Sequence, residues 1–240
     1  MPDAIFDDPR LAATYDAFDG PRDDLAAYVA IAAELGASRV LDVGSGTGNL
    51  AALLVARGVE VVGVEPAGAS LEIARRREPR ATWVRGDAAT LPAVAADLAV
   101  MTANVAQVFL TDDDWTTALA GVRGALRPGG HLVFETRRPE RRLWEDWAAD
   151  TAWHTLDVDG VGSVRRRMAV TEVRLPLVSF RFTYEFPDGG TLTSDSTLRF
   201  RDRDEVEASL VESGYRVLDV REAADRPGRE FVFLTQLVAA

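Results

Sequence analysis

Three glycines spaced by one residue, Gly44, Gly46 and Gly48, stand between an apolar run and a helix-forming run. The apolar residues 40–43 predict a strand, and the residues from Asn49 onward predict a helix. Glycine allows positive φ and lets a ligand approach the backbone without a Cβ in the way. The start of the following helix offers free N–H groups and a positive dipole end to a negative group. This order of strand, glycine loop and helix predicts a site for a nucleotide-type cofactor.

The composition limits the partners of such a site. The 240 residues include 27 Lys and Arg against 38 Asp and Glu, a formal net charge of −11. This balance disfavours nucleic acid, because phosphate binding relies on clustered basic side chains. The sequence has no cysteine and two histidines, which excludes disulfides and thiolate chemistry and disfavours a metal site. No signal-peptide pattern and no apolar run of about 18 residues is found. We expect a cytoplasmic monomer or homodimer without metal, membrane or nucleic-acid partners.

The elements that must position the loop follow an alternating pattern up to residue 135. Strands are predicted at residues 39–43, 60–64, 81–85, 97–101 and 131–135, and helices at 50–57, 69–77 and 112–126. The strand runs lack period-two alternation, as expected for strands covered on both faces. Repeated strand–helix units imply a parallel sheet with right-handed crossovers. The predicted fold class is α/β: a doubly wound, mostly parallel seven-stranded sheet with helices on both faces, plus an antiparallel β insertion.

The chain is expected to form a single domain over residues 1–240. Its predicted parts are an N-terminal helical lid (8–35), a cofactor-binding core (36–136), an antiparallel β insertion (150–200) and a closing helix with two strands (202–238). The insertion is inferred from four β-rich runs without helices between them and from the hairpin signal Pro187-Asp-Gly-Gly190. A sheet laid over the open side of the cofactor site would roof a small substrate pocket. Residues 127–130, Arg-Pro-Gly-Gly, are expected to form a turn.

The spacing of the glycines favours one of two cofactor classes. A dinucleotide site has the pattern Gly-x-Gly-x-x-Gly, which would need a glycine at position 49, where the chain has Asn49. Gly-x-Gly-x-Gly, followed by acidic Glu65 at the end of the next strand, resembles the first two motifs of the class I S-adenosylmethionine-dependent methyltransferases. Three further landmarks match this family in order: Gly86-Asp-Ala-Ala-Thr-Leu91, Asp97-Leu-Ala-Val-Met-Thr-Ala-Asn104 and Leu126-Arg-Pro-Gly-Gly-His-Leu-Val-Phe134. The resemblance covers residues 8–136 well and residues 202–238 in general shape.

The resemblance implies S-adenosylmethionine as the cofactor, and it implies residues that bind the methionine and ribose parts. Gly44 and Gly46 would pass under the methionine part, with Ser45 in the place of a cysteine that is frequent in the family. Asp42 would hold the loop and reach the amino group through water. Glu65, which is followed by Pro66, would accept hydrogen bonds from both ribose hydroxyls.

Other positions are implied for the adenine, the methyl donor and a lid. Asp87 would accept a hydrogen bond from the adenine amino group, and the Ala88 N–H would donate to a ring nitrogen. Met101 and Ala103 lie where the fourth strand of the family meets the methyl donor. Tyr15 is at the place of an aromatic lid residue in many small-molecule members, although packing between the N-terminal helices is an equal alternative.

The acceptor side is predicted less sharply, because methyl transfer requires positioning more than a fixed catalytic group. Asn104 and His154 are the candidate catalytic residues, with capping of a turn and a purely structural role as their alternatives. Candidate substrate-binding residues are Gln107, Glu135 and Arg137, of which Arg137 opens a charge run that can simply be solvated. Trp144, Trp147 and Trp153 could line a pocket or pack under the insertion.

The predicted function is methyl transfer from S-adenosylmethionine to an N or O atom of a small-molecule acceptor. Two alternatives remain open. A nicotinamide-dependent oxidoreductase would have a glycine at position 49 and a Tyr/Lys relay, whereas the chain contains no lysine. A non-catalytic S-adenosylmethionine-binding homologue would bind the cofactor without turnover.

Overall fold

The computed structural model describes residues 2–238. Its strands are β1 (Arg39–Val43), β2 (Glu60–Glu65), β3 (Thr82–Arg85), β4 (Ala96–Met101), β5 (Leu126–Arg137), β6 (His154–Val158), β7 (Gly162–Arg174), β8 (Leu177–Glu185), β9 (Thr191–Arg199), β10 (Tyr215–Glu222) and β11 (Glu230–Leu237). Its α-helices are α1 (Ala4–Asp7), α2 (Pro9–Asp19), α3 (Leu25–Glu34), α4 (Asn49–Val55), α5 (Gly68–Arg77), α6 (Asp112–Ala125), α7 (Leu143–Ala149) and α8 (Arg203–Glu212).

The main sheet has seven strands in the order β10, β11, β5, β4, β1, β2, β3. The five strands from β5 to β3 pair in parallel, and β11 runs antiparallel to both of its neighbours. The strand order reverses between β1 and β4, and in doubly wound folds ligands bind outside the carboxyl ends of the strands at such a point. The predicted α/β fold with a mostly parallel sheet is confirmed.

Apolar side chains cover both faces of this sheet. Leu41 and Met101 belong to a buried cluster on one face, with residues of α6 and α8. Val40 and Val100 belong to the cluster on the other face, with residues of α3 and α4. Neighbouring strand residues therefore point to opposite apolar layers, which explains why these strands are continuous hydrophobic runs.

The second sheet is the predicted antiparallel insertion, a meander in the order β6, β7, β8, β9. Helices α1 and α2 pack against it through a cluster that contains Ile5, Leu11 and Tyr184. Helix α7 packs through Trp144, which contacts Phe200 at a ring-centroid distance of 4.9 Å. The N-terminal helices are thereby fixed to a sheet that is distant from them in sequence.

Three local features differ from the sequence prediction. Helices α1 and α7 were not predicted, because they have only four and seven residues and give too short a periodic pattern. The expected turn at 127–130 lies inside β5, where the pairing with β4 jumps from Ala96–Leu126 to Leu98–His131. This jump leaves the four residues as a bulge within the strand. Among residues 2–238, none of the helices has the length and apolar character needed to cross a membrane.

Candidate functional site

The main cavity opens at the carboxyl ends of β1, β2 and β4 and has a volume of about 610 Å³. Sites for small molecules typically measure about 300–1,000 Å³. One wall consists of the glycine loop and the loops that follow β2, β3 and β4. The opposite wall comes from the N-terminal segment and from Asp195, Ser196 and Thr197 of β9. The cavity therefore lies between the parallel sheet and the insertion.

The glycine loop has the backbone geometry that its composition predicts. Gly44 has φ +71°, and a Cβ there would lie 2.7 Å from a methyl carbon of Val105. Gly46 has φ +54°, but a Cβ there would have no neighbouring heavy atom within 4 Å. The N–H groups of Gly44 and Ser45 both donate to the carbonyl oxygen of Val64, at 2.9 and 3.2 Å. Gly44 is thus required by close packing, whereas Gly46 leaves open space at the cavity wall.

Glu65 is a buried carboxylate that is fixed by backbone N–H groups. Its Oε2 accepts a hydrogen bond from Gly46 N at 2.9 Å, and its Oε1 accepts one from Ala67 N at 2.8 Å. Burial raises the pKa of Glu65, and these two hydrogen bonds oppose that shift. A carboxylate can accept about four hydrogen bonds, so each oxygen of Glu65 has capacity left for a ligand. Its position on the wall suits a ligand with two neighbouring donors.

Asp42 and Ser45 carry buried polar atoms without a partner in the protein. Asp42 Oδ1 and Ser45 Oγ make no hydrogen bond, although both residues line the cavity. Burial, reinforced by the nearby Glu65 carboxylate, raises the pKa of Asp42 to about 7. An unpartnered buried acceptor costs about 1–3 kcal/mol, so a ligand donor at this place would stabilise the protein. The geometry therefore favours a ligand with a cationic or hydroxyl donor near Asp42.

Asp87 and Ala88 lie on the loop that follows β3, and both line the cavity. Asp87 Oδ1 accepts hydrogen bonds from Ala89 N and from Thr90 Oγ1, each at 3.0 Å. A Cβ at Gly121 of α6 would lie 2.0 Å from the Ala88 carbonyl oxygen, so the absence of a side chain there lets the loop approach the helix. The loop is thus held in one conformation, with the Asp87 side chain exposed at the mouth.

The N-terminal wall contains the predicted lid residue and one cation. Tyr15 is largely buried and lies 5.2 Å from Phe6, measured between ring centroids. Burial raises the pKa of Tyr15, so its hydroxyl stays protonated at neutral pH. Arg22 also lines the cavity, and its guanidinium donates to both carboxylate oxygens of Asp24 at 2.8 and 2.7 Å. Leu25 completes an apolar part of this wall.

Several predicted residues lie elsewhere. Met101 is fully buried in the core, because it is still within β4, whereas Thr102 and Ala103 follow the strand and line the cavity. His154 is exposed on β6, and its Nε2 lies 3.0 Å from an oxygen of Asp150. The structure therefore corrects the expected positions of Met101 and His154, neither of which is on the wall of the main cavity. Trp144, Trp147 and Trp153 are also absent from that wall.

The wall of the main cavity does not include Asn104, Gln107, Glu135 or Arg137. All four find partners within the protein. Asn104 N donates to Glu135 Oε1 at 3.2 Å, and Asn104 Nδ2 donates to Glu230 Oε1 at 3.2 Å. Gln107 Oε1 accepts from Arg137 Nη1 at 3.0 Å. These side chains therefore make internal contacts, although Asn104 Oδ1 has no partner in the protein.

We refer to Tyr28, Asn104, Glu135, Arg226 and Glu230 as the buried polar cluster. Tyr28 donates a hydrogen bond from its hydroxyl to Glu135, and Arg226 Nη1 lies 3.2 Å from Glu230 Oε1. Tyr28 and Glu135 also line a second, smaller cavity of about 240 Å³ beside α3. Burial, together with the neighbouring Glu230, raises the pKa of Glu135 to about 7.

The raised pKa of Glu135 predicts a pH dependence of stability. Because the folded value lies above the ordinary value of 4.5, this carboxyl adds stability that is complete below about pH 4.5 and is lost as the pH rises through about 7. Between pH 5 and pH 8, the free energy of unfolding should fall less in Glu135→Gln than in the wild type, by on the order of 2 kcal/mol. Urea unfolding at both pH values measures this, with Glu72→Gln on the exposed face of α5 as the control. Equal falls in all three proteins would contradict the prediction.

Sequence reasoning missed Arg22, Thr102, Val105, Phe109 and Ser196, all of which line the cavity. Arg22, Val105 and Phe109 belong to no motif, and Ser196 lies in an insertion whose register the sequence does not define. Thr102 could have been found, since it directly follows the predicted end of the fourth strand. Among residues 2–238, no group of three or more His, Asp or Glu side chains is arranged to hold a metal ion.

Comparison with known proteins identifies the family. Residues 40–130 match a model described as a methyltransferase domain. An uncharacterized methyltransferase of Synechocystis is 30% identical over 145 residues, which cover 57% of this chain and 68% of that protein. The chain belongs to the class I S-adenosylmethionine-dependent methyltransferases. The nicotinamide alternative has no support in these matches.

Two further similarities extend over different parts of the methyltransferase. A trans-aconitate 2-methyltransferase of Methylobacterium radiotolerans is 37% identical over 149 residues, 59% of this chain and 56% of that enzyme. The solved structure of the CcbJ methyltransferase of Streptomyces caelestis has a TM-score of 0.77 at 21% identity and covers 98% of this chain and 97% of that one. The latter likeness establishes the fold alone. The matched segments span between 28% and 56% of three curated relatives.

The cofactor of this methyltransferase family fits the residues of the cavity. S-Adenosylmethionine carries an ammonium group, two ribose hydroxyls and an adenine amino group, all of them hydrogen-bond donors. The sheet-side wall supplies three carboxylates, those of Asp42, Glu65 and Asp87. Asp42 Oδ1 and Ser45 Oγ lack any partner in the protein. An acceptor-rich wall therefore meets a donor-rich cofactor.

The open space at Gly46 predicts that Gly46→Ala lowers the affinity of this methyltransferase for its cofactor more than a matched glycine substitution elsewhere does. Gly46→Ala should weaken binding of S-adenosylmethionine at least tenfold, because the added methyl group projects from a loop that lines the cavity. Gly36→Ala is the matched control, since Gly36 has φ +63°, has no atom within 4 Å of an added Cβ and lies outside the cavity wall. Both variants should lose about 1–2 kcal/mol of stability from the left-handed backbone. Calorimetric titration and urea unfolding separate the two effects, and equal affinities in both variants would contradict the prediction.

Proposed function

We propose that the protein transfers the methyl group of S-adenosylmethionine to a nitrogen or oxygen atom of a small-molecule acceptor. The observation that carries the proposal is the unpartnered Asp42 carboxylate oxygen beside the fixed Glu65 carboxylate, in a cavity of about 610 Å³. Family membership supports the same conclusion, since the matched relatives are named as methyltransferases.

We assign the cofactor-binding roles to residues of the sheet-side wall. Glu65 would accept from the two ribose hydroxyls, a task for which its two backbone hydrogen bonds already orient it. Asp87 would accept from the adenine amino group, with the Ala88 N–H donating to the ring. Asp42, together with the loop at Gly44, Ser45 and Gly46, would hold the methionine end. Pro66 and Ala103 line the cavity next to these groups.

When bound, the cofactor supplies a methyl group on a positively charged sulfur, which is activated for displacement by an electron-rich atom. The protein then has to position the acceptor and to exclude water. Phe6, Tyr15, Val105 and Phe109 give the cavity an apolar side that serves both purposes. A general base is needed only when the acceptor atom must lose a proton before it reacts.

We propose that the helices within residues 8–35 act as a lid and that the insertion within 150–200 roofs the acceptor site. Support comes from Tyr15 on α2 and from Ser196 and Thr197 on β9, which line the cavity opposite the glycine loop. A pocket of about 610 Å³ between two sheets suits a small metabolite better than a polymer. The acidic charge of −11 agrees with an acceptor other than nucleic acid.

The charges of the wall favour a neutral or amine acceptor over a polycarboxylate. The trans-aconitate relative is named for a substrate with three carboxylates. In the described part of this chain, Arg22 is the one basic side chain on the wall, and Asp24 already neutralises it. Asp3, whose pKa is raised by burial, adds a carboxyl group on the acceptor side. The described wall of the cavity therefore has no unpaired basic side chain to bind the carboxylates of such a substrate.

Calorimetry and a turnover assay test this function. The first step titrates the protein with S-adenosylmethionine and, separately, with NADH and NADPH. The second step incubates the protein with S-adenosylmethionine labelled on its methyl group and a panel of small amines, alcohols and trans-aconitate. We expect binding of S-adenosylmethionine only, followed by labelling of an amine or an alcohol. Binding of a nicotinamide cofactor alone would refute the proposal, and binding without any turnover would favour a non-catalytic homologue.

We further propose a cytoplasmic monomer or homodimer, without nucleic-acid or membrane partners. The composition and charge that support this were described above. Light scattering during size-exclusion chromatography distinguishes the two oligomeric states.

A further inference from the structure

Asp16 of α2 reaches across to the glycine loop. Its Oδ1 accepts hydrogen bonds from Thr47 Oγ1 at 2.7 Å and from Asn49 Nδ2 at 3.1 Å. Its Oδ2 accepts a hydrogen bond from Arg77 Nη2 at 2.5 Å. Arg77 in turn donates from Nη1 to the carbonyl oxygen of Thr47 at 2.6 Å. The Asp16 carboxylate therefore joins helix α2, the glycine loop and the end of α5.

These contacts connect two parts of the cavity wall. Thr47 and Asn49 line the cavity on the sheet side, and Tyr15, the residue before Asp16, lines it on the helix side. Thr47 is buried, whereas the Asp16 and Arg77 side chains are 33% and 29% exposed. The partial exposure matters, because it leaves room for the contact to break and re-form without unfolding the core.

Other contacts of the N-terminal segment go to different places. Asp7 Oδ1 accepts from Gly68 N at the start of α5, and the Phe6 carbonyl oxygen accepts from Ser70 Oγ. Arg10 of α2 pairs with Asp188 in the turn between β8 and β9. Within residues 2–238, Asp16 makes the one side-chain hydrogen-bonding link between α2 and residues 44–49. A movement of the glycine loop would therefore act on α2 through the hydrogen bonds of Asp16.

The same contact gives a role to Asn49. A dinucleotide-binding loop would have glycine at this position, and glycine has no side chain to donate to Asp16. In this chain the amide Nδ2 donates to both Asp16 Oδ1 and, at 3.3 Å, Thr47 Oγ1. Asn49, which departs from the dinucleotide-binding glycine pattern, thereby completes the link between the glycine loop and α2.

We propose that Asp16 is a positioning residue. It couples closure of helix α2 over the cavity to binding of a ligand at the glycine loop. This inference rests on the proposed function, since the ligand of the loop is taken to be S-adenosylmethionine. A ligand held by the loop favours the closed helix through Asp16, and the closed helix in turn slows release of the ligand. Asp16 acts through Thr47 and Asn49 and does not touch the ligand itself.

The test measures release of S-adenosylhomocysteine and amide hydrogen exchange in the full-length protein. In Asp16→Ala, we expect release about tenfold faster than in the wild type, within the usual range for coupled sites. On adding the ligand, amides of both α2 and the glycine loop should gain protection in the wild type, whereas only the loop should gain it in the variant. Asp188→Asn is the matched control, because it loosens the same helix on the side away from the loop.

A double-mutant cycle separates coupling from a general loss of structure. If Asp16 acts through Asn49, Asp16→Ala/Asn49→Ala should release the ligand no faster than the more affected single variant. Thr47→Val, which removes a donor without altering α2, is the second probe if Asp16→Ala does not fold. An unchanged release rate in folded Asp16→Ala would overturn the proposal, as would an unchanged rate in Thr47→Val where Asp16→Ala does not fold. Equal acceleration by Asp188→Asn would overturn it as well. Failure of the wild type to bind S-adenosylhomocysteine would instead refute the proposed function.

Discussion

Replacing Glu65 with alanine is expected to weaken binding of S-adenosylmethionine by about 3 kcal/mol, roughly a 100-fold loss of affinity. The reason is that one buried carboxylate is assigned both ribose hydroxyls, and hydrogen bonds to a charged group are worth about 1.5–3 kcal/mol each. The substitution also deprives Gly46 N and Ala67 N of their acceptor, so the loop loses part of its support. Glu65→Gln retains one amide oxygen and should lose less affinity.

The control for Glu65 is available on the same strand. Glu60→Ala removes an exposed carboxylate at the other end of β2, where Glu60 pairs with Arg39 on the surface. Exposed ion pairs contribute only about 0–1 kcal/mol, so this variant should bind like the wild type. Calorimetric titration gives the affinities, and thermal unfolding of the ligand-free proteins shows whether Glu65→Ala is folded. If folded Glu65→Ala bound within twofold of Glu60→Ala, the ribose would have to lie elsewhere.

Binding of the cofactor at pH 6 is expected to release close to one proton, and Asp42→Asn should abolish most of this release. With a pKa of about 7 in the free protein, Asp42 is mostly protonated at pH 6. An ammonium group placed nearby favours the charged carboxylate and lowers its pKa, so the proton leaves on binding. The affinity should therefore rise with pH up to about 7 and level off above it. In Asp42→Asn the affinity should be lower and nearly independent of pH.

Titration in two buffers of different ionisation enthalpy counts the released protons. The number should fall toward zero at pH 8, where Asp42 is already ionised in the free protein. Glu135→Gln is the control, because Glu135 also has a pKa of about 7 but is not on the wall of the main cavity. This variant should release as many protons as the wild type. Proton release lost in Glu135→Gln and kept in Asp42→Asn would show that the wrong carboxyl was chosen.

The sequence allowed the sheet and the glycine loop to be predicted because both depend on local patterns. The strand at 39–43 was predicted with its observed bounds, since its apolar run ends directly at the glycines. Glu65 and Asp87 line the cavity because the carboxyl ends of parallel strands meet at one sheet edge. These positions follow from strand order alone and need no knowledge of side-chain direction.

The acceptor side was harder to predict because it depends on side-chain direction. Ala103 and Asn104 both have positive φ, which turns the chain after β4 and sends the Asn104 side chain toward Glu135 and Glu230. Asparagine adopts positive φ more readily than most residues, but nothing in the sequence signals it at Ala103. Ser196 of the insertion was missed for a different reason, since its place on the wall depends on how two sheets pack together.

The wall of the cavity joins residues from distant parts of the chain. Ser196 donates a hydrogen bond to Asp3 across 193 positions of sequence, and both residues belong to the wall. A nascent chain that has emerged only as far as β5 already contains the glycine loop, Glu65 and Asp87, but not β9. In such a chain, the wall opposite the glycine loop would lack Asp195, Ser196 and Thr197. We therefore expect the complete wall of the cavity to form only after β9 has been synthesised.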